Sequence, residues 1–170
     1  MKIRRQLTLF VENQTIEEIR AKFNQIQHAI IPAHVTLCRE DELEDLEKII
    51  ANIKALLIDK PIKISFNEVI RFDDGKGVLI PANEENIDFH NLRNLILIYP
   101  RKHLPHITLI HPRNSTCTDS IFEEIKSSQL PTTLFFNKII LIDKKMVGNG
   151  KFWMNLWFKN NSMSFHCLDI

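Results

Sequence analysis

The sequence predicts an α+β fold: two pseudo-symmetric lobes, each an antiparallel-rich sheet with helices on its outer face, around a central cleft. Three observations predict it. A strand-like tetrapeptide occurs twice, as His34-Val35-Thr36-Leu37 and His106-Ile107-Thr108-Leu109, each shortly after a proline. A second apolar strand follows each copy, Ile64-Ser65-Phe66-Asn67-Glu68-Val69-Ile70 in the first half and Leu134-Phe135-Phe136-Asn137-Lys138-Ile139-Ile140 in the second. A helical stretch separates motif from repeat strand both times, and a Gly-Lys turn (Gly75-Lys76, Gly150-Lys151) then precedes another apolar strand. The order motif strand, helix, strand, turn, strand therefore occurs twice.

The elements follow from local pattern. Residues 3–11 alternate and read as a strand. Thr15 with Glu18 fits a capping box for a helix whose stripe is Ile16, Ile19, Phe23, Ile26 and Ile30, stopped by Pro32. The first motif strand spans 34–38. A second amphipathic helix is expected over 41–57, with Leu43, Leu46, Ile49, Ile50, Ile53 and Leu57 inward, and Lys60-Pro61 breaks it. Strands at 62–72 and 77–80 are joined by Asp73-Asp74-Gly75-Lys76, a good hairpin turn. Phe89, Leu92, Leu95 and Ile96 predict a helix over 88–97. Residues 98–105 lead into the second motif strand at 106–110, and a short helix is expected over 119–127. Strands at 132–142 and 151–159 complete the pattern, with the tail, 162–170, as an edge strand or loose end.

Composition bounds the class. The chain of 170 residues is long enough for one bilobal domain over 1–170, and its 44% hydrophobic and 25% charged content is ordinary for a soluble globular protein. A net charge of +1 argues against a surface that coats long nucleic acid, but leaves room for a local basic cleft. Cys38, Cys117 and Cys167 are odd in number and lack a C-x-x-C spacing, so neither a disulfide framework nor a zinc site is expected. No apolar run approaches the roughly 18 residues of a membrane span and no signal peptide is evident, so the expected location is the cytoplasm, with no membrane and no obligate protein partner.

The repeated motif carries the chemistry. On a strand, positions i and i+2 point to one face, so each copy offers an imidazole beside a hydroxyl while Val35, Leu37, Ile107 and Leu109 face a core. Two such strands facing each other surround one small anion with two histidines and two threonines. Histidine titrates near neutrality, so one can take a proton while the other gives one. Thr36 and Thr108 would donate to nonbridging phosphate oxygens as charge builds up. His103, His106 and His111 lie close in sequence, but His106, Thr108 and Ile110 share a face that His111 does not, and no acidic residue accompanies them at a ligand spacing. Metal and cofactor are therefore both expected to be absent. Phosphate binding calls for further cations, for which Arg39, Arg101, Lys102 and Arg113 flank the motifs. Trp153 and Trp157 share one face of the strand at 152–158 and are candidates to stack a base, ahead of Phe72 and Phe89. Lys76 and Lys151 read as turn residues, and His28 and His90 as surface or helix-end residues.

The paired H-x-T-x motifs, with Leu104-Pro105-His106-Ile107-Thr108-Leu109 in the form Pro-His-Ile-Thr-Leu, resemble the two-histidine phosphoesterase superfamily, and within it the bacterial 2′-5′ RNA ligase and 2′,3′-cyclic phosphodiesterase branch. The resemblance implies that His34, Thr36, His106 and Thr108 are catalytic, with His106 activating water and His34 protonating the departing ribose oxygen. It also implies RNA ends or nucleotides as substrate, a 2′-phosphate product, and 2′-5′ joining without ATP on the same site. A phosphodiesterase of 2′-5′ oligonucleotides or of a cyclic ADP-ribose phosphate would use the same four residues. A non-catalytic RNA-binding module is the rival from another class, and retention of both histidines argues against it.

Overall fold

The computed structural model describes residues 4–113, 115–144, 150–157 and 163–169, and the side chains of 5–113 and 115–142. In chain order the strands are β1 (Arg4–Phe10), β2 (His34–Cys38), β3 (Ile62–Ser65), β4 (Ile70–Phe72), β5 (Gly77–Pro81), β6 (His106–Ile110), β7 (Thr133–Phe136), β8 (Lys138–Lys144), β9 (Gly150–Trp157) and β10 (Met163–Asp169). The helices are α1 (Gln14–Phe23), α2 (Gln25–Ile30), α3 (Leu46–Lys54), α4 (Ile87–Ile96) and α5 (Asp119–Ser127), with a 3-10 turn at Glu40–Glu42.

The α+β class and antiparallel pairing are as the sequence predicts. An 8-stranded sheet runs in the order β10-β9-β8-β1-β2-β6-β5-β4, and β3 pairs with β7 in a separate ribbon. The segment β8-β1-β2-β6-β5-β4 reads as a palindrome of a repeated unit, β1-α1-α2-β2-α3-β3-β4 followed by β5-α4-β6-α5-β7-β8. Two register pairs mark the pseudo-twofold. Val35 lies opposite Ile107 and Ile64 lies opposite Leu134, each pair joining matching residues of the two halves. The halves thus share one sheet across β2 and β6. The repeat begins one strand earlier than the motif, so β5 corresponds to β1. Gly150-Lys151 opens β9 instead of forming a turn.

One face of this sheet is the core. Leu7, Leu9, Val35, Leu37, Ile107 and Leu109 are fully buried against Ile16 and Ile19 of α1 and Phe89, Leu92 and Ile96 of α4. Helix α1 packs on β6 and α4 on β2, so each half sends its helix beneath the other half's motif strand. The β4–β5 hairpin turns where expected: Asp73 and Asp74 both take φ 53° and Gly75 takes φ 81°. At Gly77 a Cβ would come within 2.4 Å of the Phe72 ring, so glycine there lets that ring lie over the strand.

Several expected elements are divided, each for a visible reason. The helix expected through residue 30 breaks at Asn24, which leaves the helical region at φ −144°, ψ 47°. Its buried side chain turns into the sheet and donates from Nδ2 to the Leu109 carbonyl at 3.0 Å. Ile26 and Ile30 then face outward, at 56% and 36% exposure. Asn13, not Thr15, caps α1 by accepting from the Ile16 N–H. The helix expected over 41–57 becomes the 3-10 turn plus α3, because Asp45 starts a new helix by accepting from the Lys48 N–H. Leu57 is exposed beyond its end, as is Leu95 on the outer side of α4. The strand expected over 62–72 divides into β3 and β4, which join different sheets, and Asn137 separates β7 from β8. The tail forms edge strand β10 against β9.

Cys38 and Cys117 are buried free thiols, and burial pushes the Cys38 thiol up to about 12. Replacing Asn24 with alanine would orphan the Leu109 carbonyl. Urea unfolding should show a loss of about 1–3 kcal/mol, the cost of an unsatisfied buried polar group, at unchanged m-value.

Candidate active site

Both motifs sit on the face of the sheet away from the core, and both have the same local build. In each strand the histidine and threonine are half-buried while the residue between them and the two after the threonine are buried. That pattern departs from simple alternation because each strand carries a bulge directly after its threonine. Pairing passes from Leu7–Cys38 to Thr8–Thr36, skipping Leu37, and from Val78–Ile110 to Leu79–Thr108, skipping Leu109. A bulge turns the strand and re-aims what precedes it.

The rung Val35–Ile107 joins the two strands antiparallel. Counting outward from it sets His34 opposite Thr108 and Thr36 opposite His106. The two His/Thr pairs therefore lie crosswise around the pseudo-twofold. His34 Nδ1 is 2.9 Å from the Pro32 carbonyl and His106 Nδ1 is 3.1 Å from the Leu104 carbonyl, the same bond two residues back in each half. A carbonyl only accepts, so Nδ1 carries the proton and Nε2 the lone pair of the neutral ring. Both imidazoles are thus held in one tautomer and orientation.

Around the second histidine opens a cavity of about 860 Å³. Arg39, Lys102, His103 and His106 form its basic side, with Thr36, Gln6 and Glu40 beside them, and Ile70, Leu79, Pro81 and Leu104 give an aliphatic wall; His34 and Thr108 do not line it. Arg39 and Lys102 are exposed at this rim. Arg101 is not part of it: its guanidinium pairs with Asp41 and faces the neighbouring groove between the 3-10 turn and the end of α4. Arg113 lies beyond β6, its backbone N–H donating to His111 Nδ1 at 3.2 Å, and does not line the cavity. Trp153 and Trp157 are on β9, and their side chains lie outside the described residues. Phe89 is fully buried beneath His103, so it offers no open ring to a base. Among the described residues no three His, Cys, Asp or Glu side chains are gathered as a metal site. Nor is any described helix long and apolar enough to cross a membrane.

The family profile described as the 2′-5′ RNA ligase superfamily matches residues 10–145. The chain belongs to this superfamily. No curated protein sequence matches it. Similar solved folds include E. coli LigT complexed with NADP+, at TM-score 0.56 and 13% identity over 98% of this chain and 94% of that one. A protein described as a phosphoesterase has TM-score 0.53 and 13% identity over 99% and 100% of the two chains. TT0787 of Thermus thermophilus has TM-score 0.50 and 17% identity over 90% and 94%. The two-histidine resemblance drawn from the motifs is thereby upheld, and it carries phosphoesterase or ligase-type activity on a nucleotide or RNA.

In this superfamily member the motifs rest on buried polar groups that sequence reading passed over. Arg93 of α4 and Glu42 of the 3-10 turn pair at 2.6 Å with side chains 2% and 3% exposed. Arg93 also donates to the carbonyls of Leu37 and Arg101, and Glu42 accepts from the N–H groups of Arg39 and Arg101. Burial alone would raise the Glu42 carboxyl, but the hydrogen bonds from Arg93 and from the Arg39 and Arg101 backbones outweigh it and hold the group below its ordinary range. His103, read as a loop residue, is 2.9 Å through Nε2 from the Thr36 carbonyl and stacks on Phe89 with centroids 6.0 Å apart. Burial, Arg93 and His106 lower its pKa, against the opposing pull of the Thr36 carbonyl and Glu42. A helical i to i+4 pattern does not single out Arg93, because it falls on the buried stripe beside Phe89 and Leu92 where an apolar residue is the rule.

Glu42→Gln removes one charge of a buried pair and should cost about 3–5 kcal/mol in urea unfolding near neutral pH. Both Glu42 and His103 titrate lower in the folded state than in the unfolded chain. Unfolding therefore binds protons, and stability should fall as pH drops through about 6.5, where unfolded histidine is half charged, and on through the carboxylate range. Urea midpoints across that range check the slope, and Glu42→Gln should flatten its acid end.

Proposed function

We propose that the chain opens 2′,3′-cyclic phosphates at RNA ends or on nucleotides by metal-independent two-histidine catalysis. The observation that carries this reading is the crosswise pair: His34 beside Thr108 and His106 beside Thr36, each imidazole anchored through Nδ1 so that Nε2 does the proton transfer. His106 Nε2 takes a proton from water as its oxygen bonds to phosphorus. The bond from phosphorus to the ribose O3′ breaks, and protonated His34 gives its Nε2 proton to that oxygen. The product is a 2′-phosphate with a free 3′-hydroxyl. Thr36 and Thr108 donate to the nonbridging oxygens, whose charge grows in the transition state. Arg39 and Lys102, at the cavity rim, receive the next phosphate of an RNA strand.

With a 5′-hydroxyl in place of water as the nucleophile, the same groups acting in the same sense break the bond to O3′ and join ends through a 2′-5′ linkage without ATP, and the reverse path, attack of the 3′-hydroxyl on that linkage, re-forms the cyclic phosphate and releases the 5′-hydroxyl. LigT has been crystallised with phosphate, with NADP+ and with 3′-AMP, which supports a phosphorylated nucleotide as the ligand class here. A phosphodiesterase of 2′-5′ oligonucleotides would use the same four residues.

The test is turnover of an oligoribonucleotide ending in a 2′,3′-cyclic phosphate, with EDTA present. His34→Ala and His106→Ala should each lower kcat by about 10²–10⁴, the usual worth of a positioned acid or base, with the fold intact by circular dichroism. Wild-type turnover that EDTA abolishes would sink the metal-independent reading. Wild-type turnover that survives either substitution would sink the two-histidine mechanism.

A further inference from the structure

We propose that His103 is a positioning residue that ties the first motif to the second. The inference rests on the two-histidine reading above for its kinetic consequence, and on geometry alone for the tie itself. The bulge after Thr36 takes Leu37 out of the β1–β2 register, β2 and β6 share only the Val35–Ile107 rung among the described residues, and a buried carbonyl without a donor is costly. Two successive carbonyls there are taken by side chains of the second half. Arg93 donates to Leu37, and His103 donates through Nε2–H to Thr36 at 2.9 Å. His103 precedes His106 by a short irregular stretch that contains Leu104, whose carbonyl anchors the His106 ring. One face of the His103 imidazole rests on Phe89, which is fully buried. The segment that aims His106 is thus fastened at one end to the backbone of Thr36.

The tie matters because β2 and β6 share one register pair among the described residues, Val35–Ile107. A single rung fixes contact but leaves rotation and slide about it loosely held. His103 supplies a second point of attachment on the Thr36 and His106 side. It is also where the two halves differ. The matching position before His34 is Ile31, whose side chain has no donor, so this connection exists on one side of the pseudo-twofold. The charged and titratable groups around the ring are Arg93, Glu42 and His106, and a neutral His103 keeps its donor without adding a cation beside His106.

Two substitutions separate the donor from the ring. His103→Phe keeps the flat ring on Phe89 and removes the N–H, whereas His103→Gln restores an N–H donor without the ring. On the cyclic-phosphate oligonucleotide, His103→Phe should lower kcat about ten- to a hundredfold, the scale of a misplaced catalytic group, with KM changed less than about threefold. His103→Gln should recover most of the loss. In nitrogen-15 spectra, His103→Phe should shift the His106 ring signals and the Leu37 amide, which shares its peptide with the Thr36 carbonyl, and His103→Gln should return them. A kcat for His103→Phe within about twofold of wild type, or no rescue by His103→Gln, overturns the proposal. Should the wild type turn over no cyclic phosphate, the proposed function fails and the spectra alone judge the tie: shifts that return with glutamine uphold it, and unmoved signals overturn it.

Discussion

Two bulged strands leave backbone carbonyls that the sheet itself cannot serve, and the arrangement of this molecule depends on which side chains reach them. Each motif needs its bulge, because the irregularity buries the two residues after the threonine while leaving histidine and threonine on the open face. Each bulge in turn leaves a buried carbonyl, at Leu37 or Leu109, outside the regular ladder. Arg93 answers the first and Asn24 the second. These donors come from the helices that precede the opposite motif strand, so the halves are braced crosswise. The same logic explains the packing of α1 on β6 and α4 on β2.

The brace is asymmetric in chemistry although symmetric in place. Asn24 is a neutral donor that breaks its helix to reach the sheet, and Arg93 is a cation within an unbroken helix. A buried guanidinium requires a carboxylate, and Glu42 supplies it from the turn that follows β2. Once Glu42 is committed there, it collects the N–H groups of Arg39 and Arg101 as well. That network fixes the two loops from which Arg39 and Lys102 reach the cavity rim. The cavity forms on this side, next to His106 and His103.

Much of this was legible in the amino-acid order, and what was not has a common cause. The motifs, the Ile64 and Leu134 strands and the Asp73-Asp74-Gly75 turn are written in short-range pattern, which sequence reading handles well. The two-histidine resemblance is upheld by the superfamily match. Asn24, Glu42, Arg93 and His103 escaped because their partners are distant carbonyls or charges created by the bulges. A bulge has no residue signature in Val-Thr-Leu-Cys or Ile-Thr-Leu-Ile. The helix expected through residue 30 and the one over 41–57 failed for the same reason: a polar side chain needed in the sheet or at a cap overrode the helical stripe. Among the cations flanking the motifs, Arg39 and Lys102 reach the cavity while Arg101 is drawn off by Asp41, a choice that spacing alone does not make.

The crosswise placement of the histidines has a consequence for direction. A half-turn about the pseudo-twofold exchanges one His/Thr pair for the other, with the same anchoring carbonyl in each. On the proposed two-histidine reading, a phosphate on that axis would meet one His/Thr pair on either side, whichever of its two esters faces which imidazole. On that reading, joining and cleavage of the linkage would be one path traversed in opposite senses, with no separate apparatus for either. Hydrolysis and joining would then be decided by which nucleophile reaches the phosphorus, water or a hydroxyl-bearing strand end. Selectivity for one outcome would accordingly come from the unequal flanks, not from the shared centre.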